Sequence, residues 1–184
     1  MKLFAAFASS ALILMLFAFL ILSFVAPLKN STLSITGQDQ PETSLYFSPM
    51  LLKSACYKNE TVDIFADTQQ NSISSAQIEL SYNPSDFSDF SIRSADDNFL
   101  GDSESYQVTL SEVRPEYGRA SLSLELSPSQ NARKGTGRIG TISFTATPAS
   151  GIARILFLNK STVMGQKNRI SLLRNTTPLT ISCF

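Results

Sequence analysis

Strict two-residue alternation of apolar and polar side chains is the feature that most limits what this chain can fold into. In the run ISSAQIELSYNP, residues 73–84, Ala76, Ile78, Leu80 and Tyr82 fall on one side. Gln77, Glu79 and Ser81 fall on the other, and the run stops at Asn83-Pro84. Residues 119–126 repeat the pattern, with Ala120, Leu122, Leu124 and Leu126 set against Ser121, Ser123 and Glu125. Successive side chains of a strand point to opposite faces, so each run predicts a strand with one face buried and one wet. Such strands belong to antiparallel sheets that are solvated on one side.

Seven further short runs carry a related pattern between turn residues. They are 45–47, 60–67, 87–92, 106–112, 138–147, 153–158 and 178–183. In 106–112 the alternation is expected to turn Val108 and Leu110 inward. The segment 153–158, ARILFL, is a nearly unbroken apolar run. Downstream of residue 26 no window shows a helical period. Nine strands at this spacing predict an all-β fold: two antiparallel sheets packed face to face as a sandwich, with Phe and Leu filling the core.

The N-terminus reads differently. Residues 5–26 are apolar apart from Ser9, Ser10 and Ser23. At about 1.5 Å per residue such a segment spans a hydrocarbon core of roughly 30 Å. A cut after Ala26 would place Phe24 and Pro27 where a signal peptidase wants small residues and no proline. An uncleaved signal anchor is therefore favoured over a cleaved signal peptide for residues 1–26. Either one exports the rest, through a polar linker over 27–42 to a domain over 43–184. Formal net charge is zero, which gives no reason to expect nucleic acid as a partner. Acidic residues crowd 60–104 and basic ones follow residue 113; interleaved strands in a sandwich are expected to balance the two groups internally, with a bipolar surface as the alternative.

Export decides how the cysteines read. Cys56 and Cys183 are the only two, and in an oxidising compartment an even pair is expected to form a disulfide. With no histidine in the chain, Ser-His-Asp and Cys-His catalysis is excluded, and two thiolates do not make a zinc site. No Ser-x-x-Lys pattern and no phosphate-binding glycine loop occurs. The chain reads as a non-enzyme without a cofactor. Asp96, Asp97, Asp102 and Glu104 form one dense acidic loop. It reads as a solvated loop, with calcium as the first alternative, although EF-hand spacing is missing, and a catalytic role as the last. Four Asn-x-Ser/Thr sequons, at Asn30, Asn59, Asn159 and Asn175, are expected by chance in a Ser/Thr-rich chain.

The order of the pieces resembles the cohesin domain. LYFSP, ETVDIFADT, ISSAQIELSYNPSDF, GTGRIGTISFTAT and ARILFLNKSTVMG follow one another as cohesin strands do, over residues 43–183. Asn83 stands where cohesins usually carry Asp, Asn59-Glu60 replaces a usual Gly, and Gly165-Gln166-Lys167-Asn168 stands for the late loop. The resemblance implies a nine-stranded jelly roll whose first and last strands run parallel side by side, bringing Cys56 and Cys183 together. It also implies one sheet holding strands 74–82, 106–112 and 119–126, with a face made of Gln77, Glu79, Ser81, Gln107, Thr109, Ser111, Ser121, Ser123 and Glu125. In cohesins this sheet receives a dockerin helix pair. The resemblance thus implies a non-catalytic extracellular scaffolding module that docks a dockerin-like protein or a carbohydrate, linked to polysaccharide catabolism. As read from sequence, that face is small and polar and has no large apolar anchor. A structural envelope or surface-adhesion protein without a specific ligand is the alternative.

Overall fold

The computed structural model describes residues 40–54, 56–167 and 170–184. The expected N-terminal anchor, most of the linker, Asn30 and Asn168 lie outside the described residues. No helix among the described residues is long and apolar enough to cross a membrane.

Twelve strand segments build two packed sheets. The first sheet has the order β11-β1-β3-β8-β5. Its members are β11 (Leu173–Thr177), β1 (Thr43–Ser48), β3 (Asn59–Asp67), β8 (Thr136–Ala146) and β5 (Phe87–Ser94). The second has the order β2-β12-β9-β4-β7-β6. Its members are β2 (Leu51–Ser54), β12 (Leu179–Cys183), β9 (Ile152–Phe157), β4 (Ser75–Tyr82), β7 (Arg119–Leu126) and β6 (Tyr106–Arg114). The short β10 (Thr162–Met164) pairs with the start of β4. All nine expected runs are strands; β2, β10 and β11 are additional.

Alternation is why the sheets pack. Ile78, Leu80, Leu122, Ile142, Phe144 and Phe47 are fully buried between them, and their polar neighbours along each strand face out. One end of the core holds an aromatic cluster, in which Tyr82 stacks on Phe90 at 4.1 Å and meets Phe87 edge-on at 5.5 Å. Asn83 ends β4 much as an aspartate would: its side chain accepts a hydrogen bond from the Ser85 N–H at 3.3 Å.

The first and last strands of the described domain form a parallel ribbon that passes from one sheet to the other. β1 pairs parallel with β11 in the first sheet, and β2 pairs parallel with β12 in the second. The change of sheet falls at Ser48-Pro49, a cis peptide bond, on one strand and between Thr177 and Leu179, at Pro178, on the other. A proline cannot donate to a ladder, so both sit where pairing is interrupted. The expected side-by-side, parallel first and last strands are present, each split in two at its proline. At the far end of this ribbon Cys56 and Cys183 form a disulfide with Cα atoms 5.2 Å apart, closing a separation of 127 residues.

Candidate functional site

Pairing places β9, β4, β7 and β6 side by side. Residues directly opposite across a ladder share a face. On the outer face of this sheet Glu79 lies opposite Ser121, which lies opposite Glu112. One row along, Leu156, Ser81, Arg119 and Arg114 form a continuous line. In the other direction come Gln77, Ser123 and Leu110, and then Ser75, Glu125 and Gln107. Gln77, Glu79, Ser81, Ser121, Ser123, Glu125 and Gln107 are therefore all on one face.

β6 departs from the sequence-based expectation. Its register shifts between Val108 and Leu110, so Thr109 is the extra residue of a bulge. A bulge reverses the phase of everything after it. Leu110 turns to the outer face, where it is 38% exposed, and Ser111 turns inward and donates its hydroxyl hydrogen bond to the Ile92 carbonyl at 2.9 Å. Val108 keeps its inward phase opposite Leu124 but lies at the open edge, 47% exposed. Thr109 donates to the Ser123 carbonyl at 3.4 Å. The expected polar face thus loses Ser111 and gains Leu110.

The face is also not flat. An open depression of about 870 Å³ runs along it. Its floor holds Glu79, Ser81, Ser121, Arg119, Glu112 and Arg114. Leu110 and Tyr117 stand on the β6 side, and Leu156 with Leu158, Asn159 and Lys160 on the β9 side. Tyr117 and Leu156 are 68% and 45% exposed. The face therefore does carry large apolar side chains, contrary to the sequence reading, because the bulge turns out Leu110 and the phase of β9 turns out Leu156.

The floor is held in place by its own hydrogen bonds. Glu79 accepts on one carboxylate oxygen from Gln77 Nε2 at 2.9 Å and on the other from Ser121 Oγ at 2.7 Å. The Glu79 backbone is fixed by the following loop: its carbonyl accepts from the Leu158 N–H at 2.7 Å, and its N–H donates to Ser161 Oγ at 3.1 Å. Glu112 accepts from Arg114 Nε at 2.8 Å, and this hydrogen bond holds the Glu112 carboxyl below its ordinary pKa. The floor is a preset hydrogen-bonding surface.

The acidic loop does not converge. Asp96 pairs with Arg93 at 2.7 Å. Asp97 accepts from Arg138 Nε at 2.6 Å. Asp102 caps its own turn, accepting from the Ser105 N–H at 3.0 Å and the Ser105 hydroxyl at 2.6 Å. The Glu104 carbonyl accepts from Ser127 Oγ at 3.1 Å. Among the described residues no group of three or more His, Cys, Asp and Glu is arranged to hold a metal ion. The Asn59, Asn159 and Asn175 side chains are all at the surface.

No protein-family model matches the chain, and no curated protein matches it. Solved structures do. A type I cohesin–dockerin complex from Clostridium thermocellum matches with a TM-score of 0.60 at 8% identity, over 80% of this chain and 97% of that chain. The sixth cohesin of Acetivibrio cellulolyticus scaffoldin B, in complex with the Cel5 dockerin, matches at 0.59 and 11%, over 77% and 99%. A non-cellulosomal cohesin from the archaeon Archaeoglobus fulgidus matches at 0.54 and 10%, over 78% and 91%. The fold of this chain is cohesin-like.

Proposed function

We propose that this chain is a non-catalytic, extracellular module of cohesin type that receives a dockerin-like protein partner in the trough of its β9-β4-β7-β6 face. In this reading the apolar segment 5–26 holds it at the membrane, and the linker carries the domain away from the surface. One observation carries the proposal. A hydrogen-bonding floor, fixed by Ser121, Gln77 and the 158–161 loop, lies between apolar walls at Leu110 and Leu156. The walls stand three strand spacings apart, roughly 14 Å, and a helix with its side chains is about 10–12 Å across. An α-helix fits such a trough. An extended peptide would instead add along the open edge of β6 rather than lie between the two walls, and a glycan would need a row of exposed aromatic rings, where among the described residues this face offers Tyr117.

Capture from the host's exported proteins tests this reading, using the oxidised full-length chain in mild detergent. The expected partner binds wild type and the opposite-face variant Ser91→Lys equally. Leu156→Asp weakens it by about a hundredfold or more, as for a central anchor, while thermal stability stays within about 0.5 kcal/mol. A partner indifferent to Leu156→Asp, or one lost equally on Ser91→Lys, overturns the assignment of the face.

A further inference from the structure

The charges around the trough are left in an order that a domain alone has no reason to keep. Arg119 on β7 lies directly opposite Arg114 on β6. Like charges directly opposite one another in a sheet are destabilising. Arg114 is compensated by Glu112 at 2.8 Å. Glu79 has both carboxylate oxygens taken up by Gln77 and Ser121. Arg119 makes no ion pair with either glutamate. Arg154 lies two residues before Leu156 on the same outward phase of β9, and Lys160 is on the loop at the trough's side. Among the described residues, Arg119, Arg154 and Lys160 form no ion pair. The protein's other exposed sheet treats an arginine differently: Arg138 is gripped by Asp63 and Asp97 together.

We infer that the partner's helix is acidic where it crosses the β7–β9 end of the trough, presenting Asp or Glu side chains to Arg119, Arg154 and Lys160 on either side of the Leu156 anchor. This rests on the helix-docking reading above and adds the partner's charge. A polyphosphate backbone fits less well, because Glu79 and Glu112 stand in the same floor and would repel it. A carboxylate on a helix can meet the three cations singly and leave those two glutamates facing polar or apolar side chains. Charge complementarity of this kind sets which partner is accepted and how fast it arrives.

The test uses two synthetic, stapled amphipathic helices that share one leucine stripe. One is flanked by glutamates and the other by lysines. Binding to the oxidised full-length chain in detergent is read by fluorescence anisotropy. The glutamate helix is expected to bind at least about tenfold more tightly. That advantage is expected to fade as ionic strength rises from about 0.01 M to about 1 M, where the Debye length shrinks from roughly 30 Å to 3 Å. Arg119→Glu together with Arg154→Glu should reverse the preference. Arg119→Glu sets a carboxylate opposite Arg114, so the change is compatible with the fold. Equal binding of the two helices, preference for the lysine helix, or binding of neither overturns the acidic partner. Tighter binding of heparin than of the glutamate helix also overturns it, in favour of a general polyanion site. The docking reading stands or falls separately, on whether Leu156→Asp releases the captured partner.

Discussion

The two outer faces of the sandwich start from the same alternation and end differently. At the centre of the β11-β1-β3-β8-β5 face the polar groups satisfy one another, and only at its β11 edge does an arginine, Arg174, form no ion pair among the described residues. Arg138 donates through Nη1 to both oxygens of Asp63 at 3.2 and 3.1 Å and through Nε to Asp97 at 2.6 Å. Thr141 adds a hydroxyl to Asp63 at 3.0 Å, Thr61 and Ser143 bond across the strands at 3.1 Å, and Tyr46 stacks on Phe65 at 5.6 Å. On the β9-β4-β7-β6 face a trough stands open, with exposed leucines and with cations that form no ion pair among the described residues. Two bulges explain much of the contrast. In β8 the extra residue, Ile139, lies inside the sheet and is fully buried in the core. In β6 the extra residue, Thr109, lies on an edge strand, and the slip sends Leu110 to solvent. An irregularity in a central strand is absorbed by packing, whereas one at an edge changes the surface. In the docking reading proposed above, the internally satisfied face contributes to folding and the other face is the one left to bind.

If that division is right, damage to the parallel ribbon of first and last strands should cost stability and leave recognition alone. The largest expected effect is loss of the Cys56–Cys183 bond. Closing a loop of this length is worth about 4–5 kcal/mol in the chain-entropy account. Cys56→Ala with Cys183→Ala should lower unfolding free energy by that order in urea titration, with partner affinity unchanged wherever the protein is still folded. A loss of affinity in the folded protein would mean that the ribbon shapes the trough.

Gly118 should break the separation. It joins β6 to β7 beside Tyr117, in a left-handed conformation at φ 59°, and its carbonyl accepts from the Tyr82 N–H at 3.0 Å. A Cβ here would stand 2.0 Å from the Tyr82 carbonyl oxygen, so the hairpin would have to move off the end of β4. Gly118→Ala is expected to cost about 3 kcal/mol. Unlike loss of the disulfide, it should also weaken the partner at temperatures where the protein is folded, because the displaced hairpin carries the Tyr117 wall. Thermal melts and affinity on the same sample decide between the two outcomes.

The sandwich was legible in the sequence because burial of one face enforces period two, and Ile78, Leu80, Leu122 and Leu124 declare it without ambiguity. β2, β10 and β11 were not legible. LLKS and TVM are too short to show a period, and LRNTT has no alternation. Their pairing comes from neighbours distant in the chain. Half of the candidate site could be read: Glu79, Ser81, Ser121 and Ser123 reach one face by alternation together with the cohesin-like strand order. The walls could not. Period two cannot reveal that Thr109 is an inserted residue, and an apolar run such as ARILFL does not say that Leu156 points out. The cross-strand opposition of Arg114 and Arg119 was written in the sequence on either side of the PEYG turn. It gains meaning only once Arg114 is seen to pair with Glu112 and Arg119 to form no ion pair among the described residues.

The smallest expected effect is electrostatic. Asp97 on one face and Glu112 on the other each have a lowered pKa, first of all because an arginine donates to the carboxylate: Arg138 to Asp97 and Arg114 to Glu112. A carboxyl depressed in the folded state stabilises the fold above its ordinary unfolded value, near 4, and that contribution is lost as pH falls through the lower folded value. Melting temperature should therefore decline below about pH 4. Arg138→Met should return Asp97 toward its ordinary carboxylate range in an NMR titration and flatten the acid decline, because the variant no longer has that contribution at neutral pH. Partner affinity should stay within about twofold, as for independent distant sites. Arg114→Met should shift Glu112 in the same sense, yet it should weaken the partner, because it removes a cation from the floor of the trough and leaves the Glu112 carboxylate unpaired beside the incoming acidic helix. If Arg138→Met and Arg114→Met alter binding alike, the two faces are coupled through the sandwich, and the division between a folding face and a binding face fails.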